Sequence, residues 1–195
     1  MVMDDQISHR SPEAAEELLQ AARDAGFNMA SEPRTGSLLA TLAASKPGGR
    51  LLELGTGTGV GTAWLLSGMG PTATLDSVDN DAAVLGLARR HLGRDRRARF
   101  HLTDAAGFLG RCEPLTYDLI YADTWAGKFT HLDLALSLLT PGGIYVVDDL
   151  LPQASWPAGH AERVPPLVAD LESRRDFVMT KLSWASGLIV MVRTS

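Results

Sequence analysis

The 195-residue sequence contains a single cysteine, Cys112, so the chain cannot form a disulfide within itself. This scarcity is typical of proteins in a reducing compartment, and it predicts a cytoplasmic location. No apolar run approaches the roughly 20 residues that a membrane-spanning helix needs. The first ten residues include Asp4 and Asp5 but no apolar centre, so we expect no signal peptide there.

Excess positive charge is also missing, since the formal net charge is −5. A surface of this charge disfavours nonspecific binding to nucleic acid, and we expect none. Residues 89–99 are a local exception, because six arginines crowd together there without an intervening aromatic side chain. We interpret them as a solvated helix end, and a phosphate-binding patch is the alternative. These residues are Arg89, Arg90, Arg94, Arg96, Arg97 and Arg99.

Hydrophobic residues make up 45% of the chain, and they alternate between strand-like and helix-like segments. Strands are predicted at residues 50–54, 72–78, 98–102, 117–122 and 144–147, with helices at 60–67, 81–92, 105–109 and 129–139. This order is typical of an α/β Rossmann-like, doubly wound sheet with helices on both faces. Two further strands, at 177–182 and 188–192, are too close together for a crossover helix and predict an antiparallel terminal hairpin. We therefore expect seven strands, mostly parallel.

Two helices are predicted before the sheet, one from a Ser11 cap to Gly26 and one over residues 35–44. A third, over residues 162–173, is interrupted by Pro165 and Pro166 in the sequence. We expect one structural domain, in which residues 1–45 form a helical lid and residues 46–195 carry the ligand site.

A glycine-rich turn joins the first strand of the sheet to the following helix. It reads E-L-G-T-G-T-G, with Glu53 followed by Gly55, Gly57 and Gly59. Ligands of open α/β sheets bind beyond the carboxyl ends of the strands, and glycines let them approach the backbone. The dinucleotide fingerprint G-x-G-x-x-G fails here, because Val60 stands at its third glycine.

A carboxylate, Asp79, ends the second strand 20 positions after Gly59. A carboxylate at this position can accept hydrogen bonds from both ribose hydroxyls. Asn80 and Asp81 follow it, either contacting an adenosine or capping the next helix. The turn and Asp79 together predict a ligand that contains a nucleoside.

These residues resemble the first motif of class I S-adenosylmethionine-dependent methyltransferases. The resemblance implies that Glu53 helps to hold the methionine end of S-adenosylmethionine and that Gly55, Gly57 and Gly59 line it, with hydrogen bonds from Thr56 and Thr58. It also implies that Asp104 and Ala105 contact adenine, although Asp104 is equally suited to capping the helix that follows.

Two later loops resemble those of the catechol and caffeoyl-CoA O-methyltransferase group. That group holds a divalent cation with an Asp in the first loop and an Asp-Asn pair in the second, which implies a Mg²⁺ or similar cation on Asp123, Asp148 and Asp149. This sequence departs from the pattern, because it has a second Asp in place of Asn and Ala126 where the group has its catalytic lysine. Asp123 and the later Lys128 are therefore the predicted catalytic residues.

Three side chains complete the predicted site. Trp125 either packs beside the adenine or has a purely structural role. His131 and His160 are alternative bases near neutral pH, or ordinary packing residues.

Our leading hypothesis is an S-adenosylmethionine-dependent O-methyltransferase acting on a small-molecule hydroxyl, and the resemblance implies a homodimer. The alternatives are a methyltransferase for RNA or protein, with the arginines gripping the partner, and a cofactor-binding regulatory module without turnover. An NAD-dependent oxidoreductase is the weakest reading, because Val60 breaks the fingerprint.

Overall fold

The computed structural model describes residues 11–195, so the first ten residues of the predicted lid lie outside the described chain. The helices are α1 (Glu13–Asp24), α2 (Pro33–Ala44), α3 (Val60–Gly68), α4 (Ala82–Leu92), α5 (Ala105–Leu109), α6 (Leu132–Ser137) and α7 (His160–Ser173). The strands are β1 (Arg50–Leu54), β2 (Thr74–Asp79), β3 (Ala98–Leu102), β4 (Tyr117–Ala122), β5 (Leu139–Val147), β6 (Phe177–Leu182) and β7 (Leu188–Arg193). No helix within residues 11–195 is long and apolar enough to cross a membrane.

The seven strands form one sheet in the order β3-β2-β1-β4-β5-β7-β6. β1 to β5 pair in parallel, whereas β7 pairs antiparallel with both β5 and β6. The predicted fold class and the antiparallel hairpin are confirmed. β1 and β4 lie side by side at the centre, so the chain reverses its winding direction between them.

The sheet is buried on both faces because neighbouring residues of its central strands point to opposite sides. Leu51 and Leu119 pack on the face covered by α1, α2 and α3, with the buried Trp64. Leu52 and Ile120 pack on the other face, under α6 and α7. This two-sided core explains why the strands are continuous apolar runs in the sequence.

Several predicted helix starts differ from the structure, and α7, for example, begins at His160 rather than at residue 162. α1 is capped by Pro12 rather than Ser11, because the Pro12 carbonyl accepts from the Ala15 amide at 2.9 Å. α2 starts at Pro33, two residues earlier than predicted, since proline suits the first turn of a helix.

The largest correction concerns the predicted helix over residues 129–139, which is only α6, six residues long. β5 begins at Leu139, which pairs with Tyr117 of β4. The next residue of β5 that pairs with β4 is Ile144, opposite Leu119, so the residues between Leu139 and Ile144 bulge out of the sheet. α7 continues through Pro165 and Pro166. The two missing amide hydrogen bonds are tolerated there because the preceding turn is exposed, so water can satisfy its carbonyls.

Candidate active site

The glycine turn and the loop after β4 meet at the centre of the sheet edge. The Asp123 amide donates to the Leu54 carbonyl at 2.8 Å, which ties the two loops together through their backbones. Gly55 has a φ of +97°, and a Cβ atom on it would lie 2.6 Å from the Asp123 carbonyl oxygen. Only glycine fits this position, since any other side chain would be both strained and in collision.

The other two glycines of the turn have different surroundings. The Gly57 amide donates to Asp79 Oδ2 at 2.7 Å, so the turn and the end of β2 are joined. Gly59 adopts a φ of +97° as the residue before α3, and a Cβ on it would lie 2.8 Å from the Ala88 Cβ of α4. Gly59 therefore packs two helices together and is not among the residues that line the cavity described below.

Asp79 holds its carboxylate at the mouth of the turn. Besides the Gly57 contact, Asp79 Oδ1 accepts from the Asp81 amide at 2.8 Å. Asp81 is the N-cap of α4, since its side chain accepts from the Ala83 amide at 2.8 Å. Asp79, Asn80 and Asp81 all line the cavity described below, and of the two aspartates only Asp81 also caps α4.

A cavity of about 400 Å³ opens at this edge of the sheet, within the size range of small-molecule sites. Residues Phe27, Met29, Ala30 and Ser31, between α1 and α2, form one wall. Most of the predicted site residues meet around it, namely Gly55, Thr56, Gly57, Asp79, Asn80, Asp123, Trp125 and Lys128.

Glu53 lies behind the cavity rather than in its lining. Its side chain is fully buried, and Oε2 accepts hydrogen bonds from the Thr62 and Ser77 hydroxyls. Oε1 has no hydrogen-bond partner within residues 11–195, and a Cβ on Gly61, which lines the cavity, would lie 2.6 Å from it. Burial raises the pKa of Glu53 to about 7, with a smaller contribution from Asp79, while the two hydroxyls oppose the shift.

The two threonines of the turn are both buried. The Thr56 hydroxyl faces inward and lies 2.6 Å from Ser77 Oγ, so it supports Glu53 through that serine. The Thr58 hydroxyl has no hydrogen-bond partner in the described part of the chain, although Thr58 lines the cavity. Unpaired buried oxygens such as these are costly, and a polar ligand would satisfy them.

Asp104 and Ala105 line a second recess, of about 310 Å³, that adjoins the first at Asp79 and Trp125. Asp104 also caps α5, since its Oδ2 accepts from the Gly107 amide at 2.8 Å. The two interpretations of Asp104 are therefore compatible in the structure. Trp125 lines both spaces, with the Arg163 guanidinium carbon 4.6 Å from its ring centre.

A third, smaller cavity of about 160 Å³ is lined by the carboxylates of the last two loops, Asp123, Asp148 and Asp149. The Tyr121 hydroxyl bridges two of them, at 3.1 Å from Asp123 Oδ2 and 2.8 Å from Asp148 Oδ2. A hydroxyl has one proton to donate, so both contacts are hydrogen bonds only if one carboxyl is protonated. Burial and the Asp148 charge raise the pKa of Asp123, and burial raises that of Asp148, in agreement with a shared proton.

Lys128 is the buried cation of the site, with only 2% of its surface exposed. Its Nζ donates to the Asp148 carbonyl at 3.1 Å and lies 5.3 Å from the centre of the Phe129 ring. Its charge opposes the rise in the Asp123 pKa, and Lys128 and Asp123 both line the main cavity. The prediction that Lys128 belongs to the site thus has a structural basis.

The three carboxylates that the family resemblance implies as metal ligands remain a prediction. Within residues 11–195 no three His, Cys, Asp or Glu side chains are arranged so as to hold a metal ion. Asp148 has three polar contacts within the protein, since Oδ1 accepts from the Ser186 hydroxyl and the Asp149 amide while Oδ2 lies 2.8 Å from the Tyr121 hydroxyl. Asp149 adopts a left-handed backbone with a φ of +61°.

Of the two candidate histidines, only His160 lines the main cavity. Its Nε2 lies 2.9 Å from the Asp149 carbonyl oxygen, its ring stacks on Trp156 at 4.3 Å, and burial lowers its pKa. His131 is not on the following helix as predicted. It is the exposed residue that precedes α6, with a φ of +56°.

Sequence reasoning missed Ser31, Tyr121 and Ser186 as site residues. Ser31 Oγ lies 3.2 Å from the Tyr121 hydroxyl and 3.4 Å from Asp123 Oδ2. Ser31 precedes α2 and Ser186 lies in the β6–β7 turn, so no local motif marks either residue. Tyr121 had one available signal, since its polar hydroxyl lies two positions before Asp123 at the buried end of a largely apolar strand.

The arginine cluster lies far from the site in the topology. α4 runs back from the ligand-binding edge, so its end and the start of β3 are at the opposite edge of the sheet. Arg97 pairs with Asp95 at 2.7 Å and donates to the Met69 carbonyl, while Arg89 donates to the Phe100 carbonyl. At least these two arginines stabilise the fold.

Known proteins with this arrangement are methyltransferases. A family described as "Methyltransferase domain" matches residues 52–150. The protein named "Putative O-methyltransferase" of Mycobacterium avium is 32% identical over 152 residues, which cover 72% of this chain and 68% of that protein.

Solved structures of other proteins share this fold. The O-methyltransferase TomG of Streptomyces achromogenes, in complex with S-adenosylmethionine, has a TM-score of 0.81 at 22% identity, covering 97% of this chain and 93% of TomG. A "putative caffeoyl-CoA O-methyltransferase" of Staphylococcus aureus has a TM-score of 0.75 at 16% identity, with 92% and 91% covered. The predicted family is confirmed, and the chain belongs to the methyltransferase family.

Proposed function

We propose that this protein transfers a methyl group from S-adenosylmethionine to a hydroxyl oxygen of a small molecule. The observation that carries the proposal is the meeting of three features around one cavity: the glycine turn, the Asp79 carboxylate and the Asp123 loop. They converge at the point where the sheet reverses its winding, which is where ligands of open α/β sheets bind. The named relatives are O-methyltransferases, which supports the class of reaction.

The residues present fit the cofactor. Asp79 would accept from the ribose hydroxyls, and the recess beside Asp104, Ala105 and Trp125 has room for the adenine. The unpaired buried oxygens of Glu53 and Thr58 lie beside the glycine turn, where polar groups of the methionine end would satisfy them. The acidic lining, with Asp79, Asp123 and Asp149, suits a ligand that carries a sulfonium and an ammonium.

The acceptor would bind in the 160 Å³ cavity, which shares Asp123 and Asp149 with the larger one. S-adenosylmethionine, when bound, supplies a methyl carbon that bonds to the acceptor oxygen as its bond to sulfur breaks and the electron pair stays on sulfur. The acceptor hydroxyl must lose its proton, and the Asp123 carboxylate, which lines both cavities, would receive it. A cavity of this size favours a small acceptor over a macromolecule.

We also propose that residues 1–45 serve as the lid. Of these, the described residues Phe27 to Ser31 line the main cavity, and Ser31 reaches Asp123. Closing a lid would exclude water from the methyl-transfer step.

Isothermal titration with S-adenosylhomocysteine tests the cofactor. We expect saturable binding at one site per chain and a loss of about tenfold to 100-fold in affinity for Asp79→Asn, which removes a charged acceptor. The matched control is Asp24→Asn, which changes an exposed aspartate on α1. Failure of the unmodified protein to bind, or equal affinities for both variants, would contradict the proposal.

Transfer of labelled methyl groups to a panel of phenols and catechols tests the acceptor class. Labelling of RNA or protein instead, with binding that weakens steeply as salt rises, would favour the macromolecular alternative. Cofactor binding without transfer to any acceptor would favour the regulatory module.

A further inference from the structure

A groove at the outer edge of the sheet has no part in the function proposed above. β3 is an edge strand, and α4 and α5 lie beside it on opposite faces of the sheet. A surface cavity of about 500 Å³, here called the β3 groove, is formed by these three elements and the residues that follow α5. It shares no lining residue with the three cavities of the candidate active site, so a ligand in it would be a separate one.

The β3 groove is lined by positive side chains without negative ones. Arg89 of α4 and Arg111 after α5 line it together with His101, whereas none of the described aspartates or glutamates does. Neither arginine forms an ion pair within residues 11–195, while Arg97, by comparison, pairs with an aspartate at 2.7 Å. The carboxylate of Asp104, next to the groove in the chain, caps α5 instead. In a chain of net charge −5, this local excess of positive charge favours an anionic ligand.

Both arginines keep hydrogen-bond donors for a ligand. Arg89 Nη2 donates to the Phe100 carbonyl at 2.9 Å, which holds that side chain in place. Arg111 Nη2 has only a long contact, of 3.5 Å, with the Thr103 hydroxyl. A guanidinium carries five N–H donors, and pairs of them match the oxygens of a phosphate or a carboxylate. Most of these donors are therefore available on the two side chains.

His101 is oriented in the groove by a buried carboxylate. Asp76 does not line the groove, and its Oδ1 lies 2.8 Å from His101 Nε2 while its Oδ2 accepts from the Tyr117 hydroxyl at 3.1 Å. The other ring nitrogen, Nδ1, makes no hydrogen bond in the described part of the chain. A protonated imidazole carries a proton on each nitrogen, so Nε2 can donate to Asp76 while Nδ1 donates to an anion. His101 thus supplies a third donor beside the two arginines.

Apolar side chains lie next to these donors. Leu102 lines the groove with 48% of its surface exposed, and the Phe108 ring centre is 4.8 Å from that of His101. An inorganic anion would leave this apolar surface in contact with water, whereas an organic anion would cover it. The lining therefore matches a charged group that is attached to an apolar body.

We propose that the β3 groove is a second ligand site of this protein, specific for a small organic anion. Arg89, His101 and Arg111 bind its phosphate or carboxylate group, and Leu102 and Phe108 contact its apolar part. The proposal gives a binding role to the first arginine of the cluster in the sequence. It does not depend on the proposed function, because the ligand binds outside the active-site cavities, with or without the cofactor.

Three anions test the site by titration, with the backbone amide signals followed by NMR. Phenyl phosphate, benzoate and inorganic phosphate are added separately to the protein, with and without S-adenosylhomocysteine. We expect saturable binding of phenyl phosphate or benzoate, at least about tenfold tighter than that of inorganic phosphate, because the ring covers apolar surface. The signals of residues 100–103 and of Phe108 should shift. Tighter binding of one organic anion supports the proposal and identifies the preferred charged group.

Three variants show whether the groove itself binds the anion. Arg111→Gln and His101→Gln should each weaken the binding of phenyl phosphate about tenfold, because each removes a charged donor. The matched control is Arg94→Gln, which changes an exposed arginine of the same cluster that does not line the groove. It removes the same charge and should change the affinity by less than about twofold. If His101→Gln does not fold, Arg111→Gln and the control decide the question.

Several outcomes would overturn the proposal. One is the absence of saturable binding of both organic anions by the unmodified protein at about 10 mM. Others are equal losses in Arg94→Gln and Arg111→Gln, or equal affinities for inorganic phosphate and phenyl phosphate. Binding of an RNA oligonucleotide that both variants weaken alike, and that falls steeply as salt rises, would also overturn it, because it would indicate a diffuse basic surface.

Discussion

The cofactor side and the acceptor side of the cavity are built in different ways. On the cofactor side, consecutive elements supply the backbone, with Gly55 and Gly57 after β1 and Asp79 at the end of β2. On the acceptor side, the side chains of Ser31 and Ser186 come from segments that are distant in the chain. The first arrangement depends on main-chain geometry, and the second on a network of side-chain hydrogen bonds.

This difference suggests which side can change its ligand. A ligand site formed by the main chain accepts few substitutions, because a side chain at Gly55 would collide with the Asp123 carbonyl. A side-chain network can lose or exchange one member and still hold the others. We therefore expect damage on the cofactor side to abolish binding, and damage on the acceptor side to reduce turnover while the cofactor still binds.

The largest effect is expected from Gly55→Val. The new side chain would be strained at a φ of +97° and would press on the Asp123 carbonyl, so we expect cofactor affinity to fall more than about 100-fold and the unfolding free energy to fall by several kcal/mol. Titration calorimetry and urea unfolding measure the two quantities.

The control for this substitution is Gly86→Ala on α4, where a Cβ meets no atom within 4 Å. It should stabilise the protein by about 0.5–1 kcal/mol, because alanine is the better helix former. Cofactor binding by Gly55→Val at the affinity of the unmodified protein would show that the backbone approach is unimportant.

An intermediate effect is expected from the pH dependence of stability. The folded pKa of Glu53 is raised from 4.5 to about 7, so between these values the folded state holds more protons than the unfolded state. The unfolding free energy should therefore fall as pH rises through this window, by about 3 kcal/mol for this group, and level off above it. Urea unfolding of the free protein between pH 5 and 8 measures the slope.

Glu53→Gln should remove that contribution, since the amide does not titrate. The slopes of the unmodified protein and of the variant should then differ only in the window between the two pKa values. Equal slopes for the two proteins would mean that Glu53 is ionised in the folded state throughout.

The smallest effect is expected on the acceptor side, from Tyr121→Phe. Loss of the hydroxyl that bridges Asp123 and Asp148 should lower kcat about tenfold, whereas the affinity for S-adenosylhomocysteine should stay within about twofold. Tyr117→Phe is the matched control, because Tyr117 lies on the same strand and donates to the buried Asp76 away from the cavity. A large loss of cofactor affinity in Tyr121→Phe alone would remove the distinction between the two sides.

The sequence predicted the cofactor side better than the acceptor side, for a physical reason. Strand order, the glycine turn and Asp79 are local patterns, and the rules of parallel sheets bring their ends together. The Asp148 side chain shows the opposite case. Its direction is decided by Tyr121 and by Ser186, 38 residues further along the chain, so no local pattern could reveal that both its oxygens are occupied.

The error in the predicted helix over residues 129–139 has the same physical cause, because contacts between distant parts of the chain decide the structure there. The leucines of residues 129–139 have helical spacing, yet Leu139 pairs with Tyr117 in the sheet, because pairing and burial in the core override local propensity. The roles of individual site residues remain predictions that the experiments above address.

The contact between Gly55 and the Asp123 carbonyl has a consequence for changing substrate preference by protein engineering. Asp123 lines both the larger and the smaller cavity, and its carbonyl lies against Gly55 of the glycine turn. Reshaping the Asp123 loop to admit a bulkier acceptor would therefore also shift the wall of the cofactor space. Libraries aimed at new acceptors should instead vary Gln153 and Ser155, which line the smaller cavity but not the larger one.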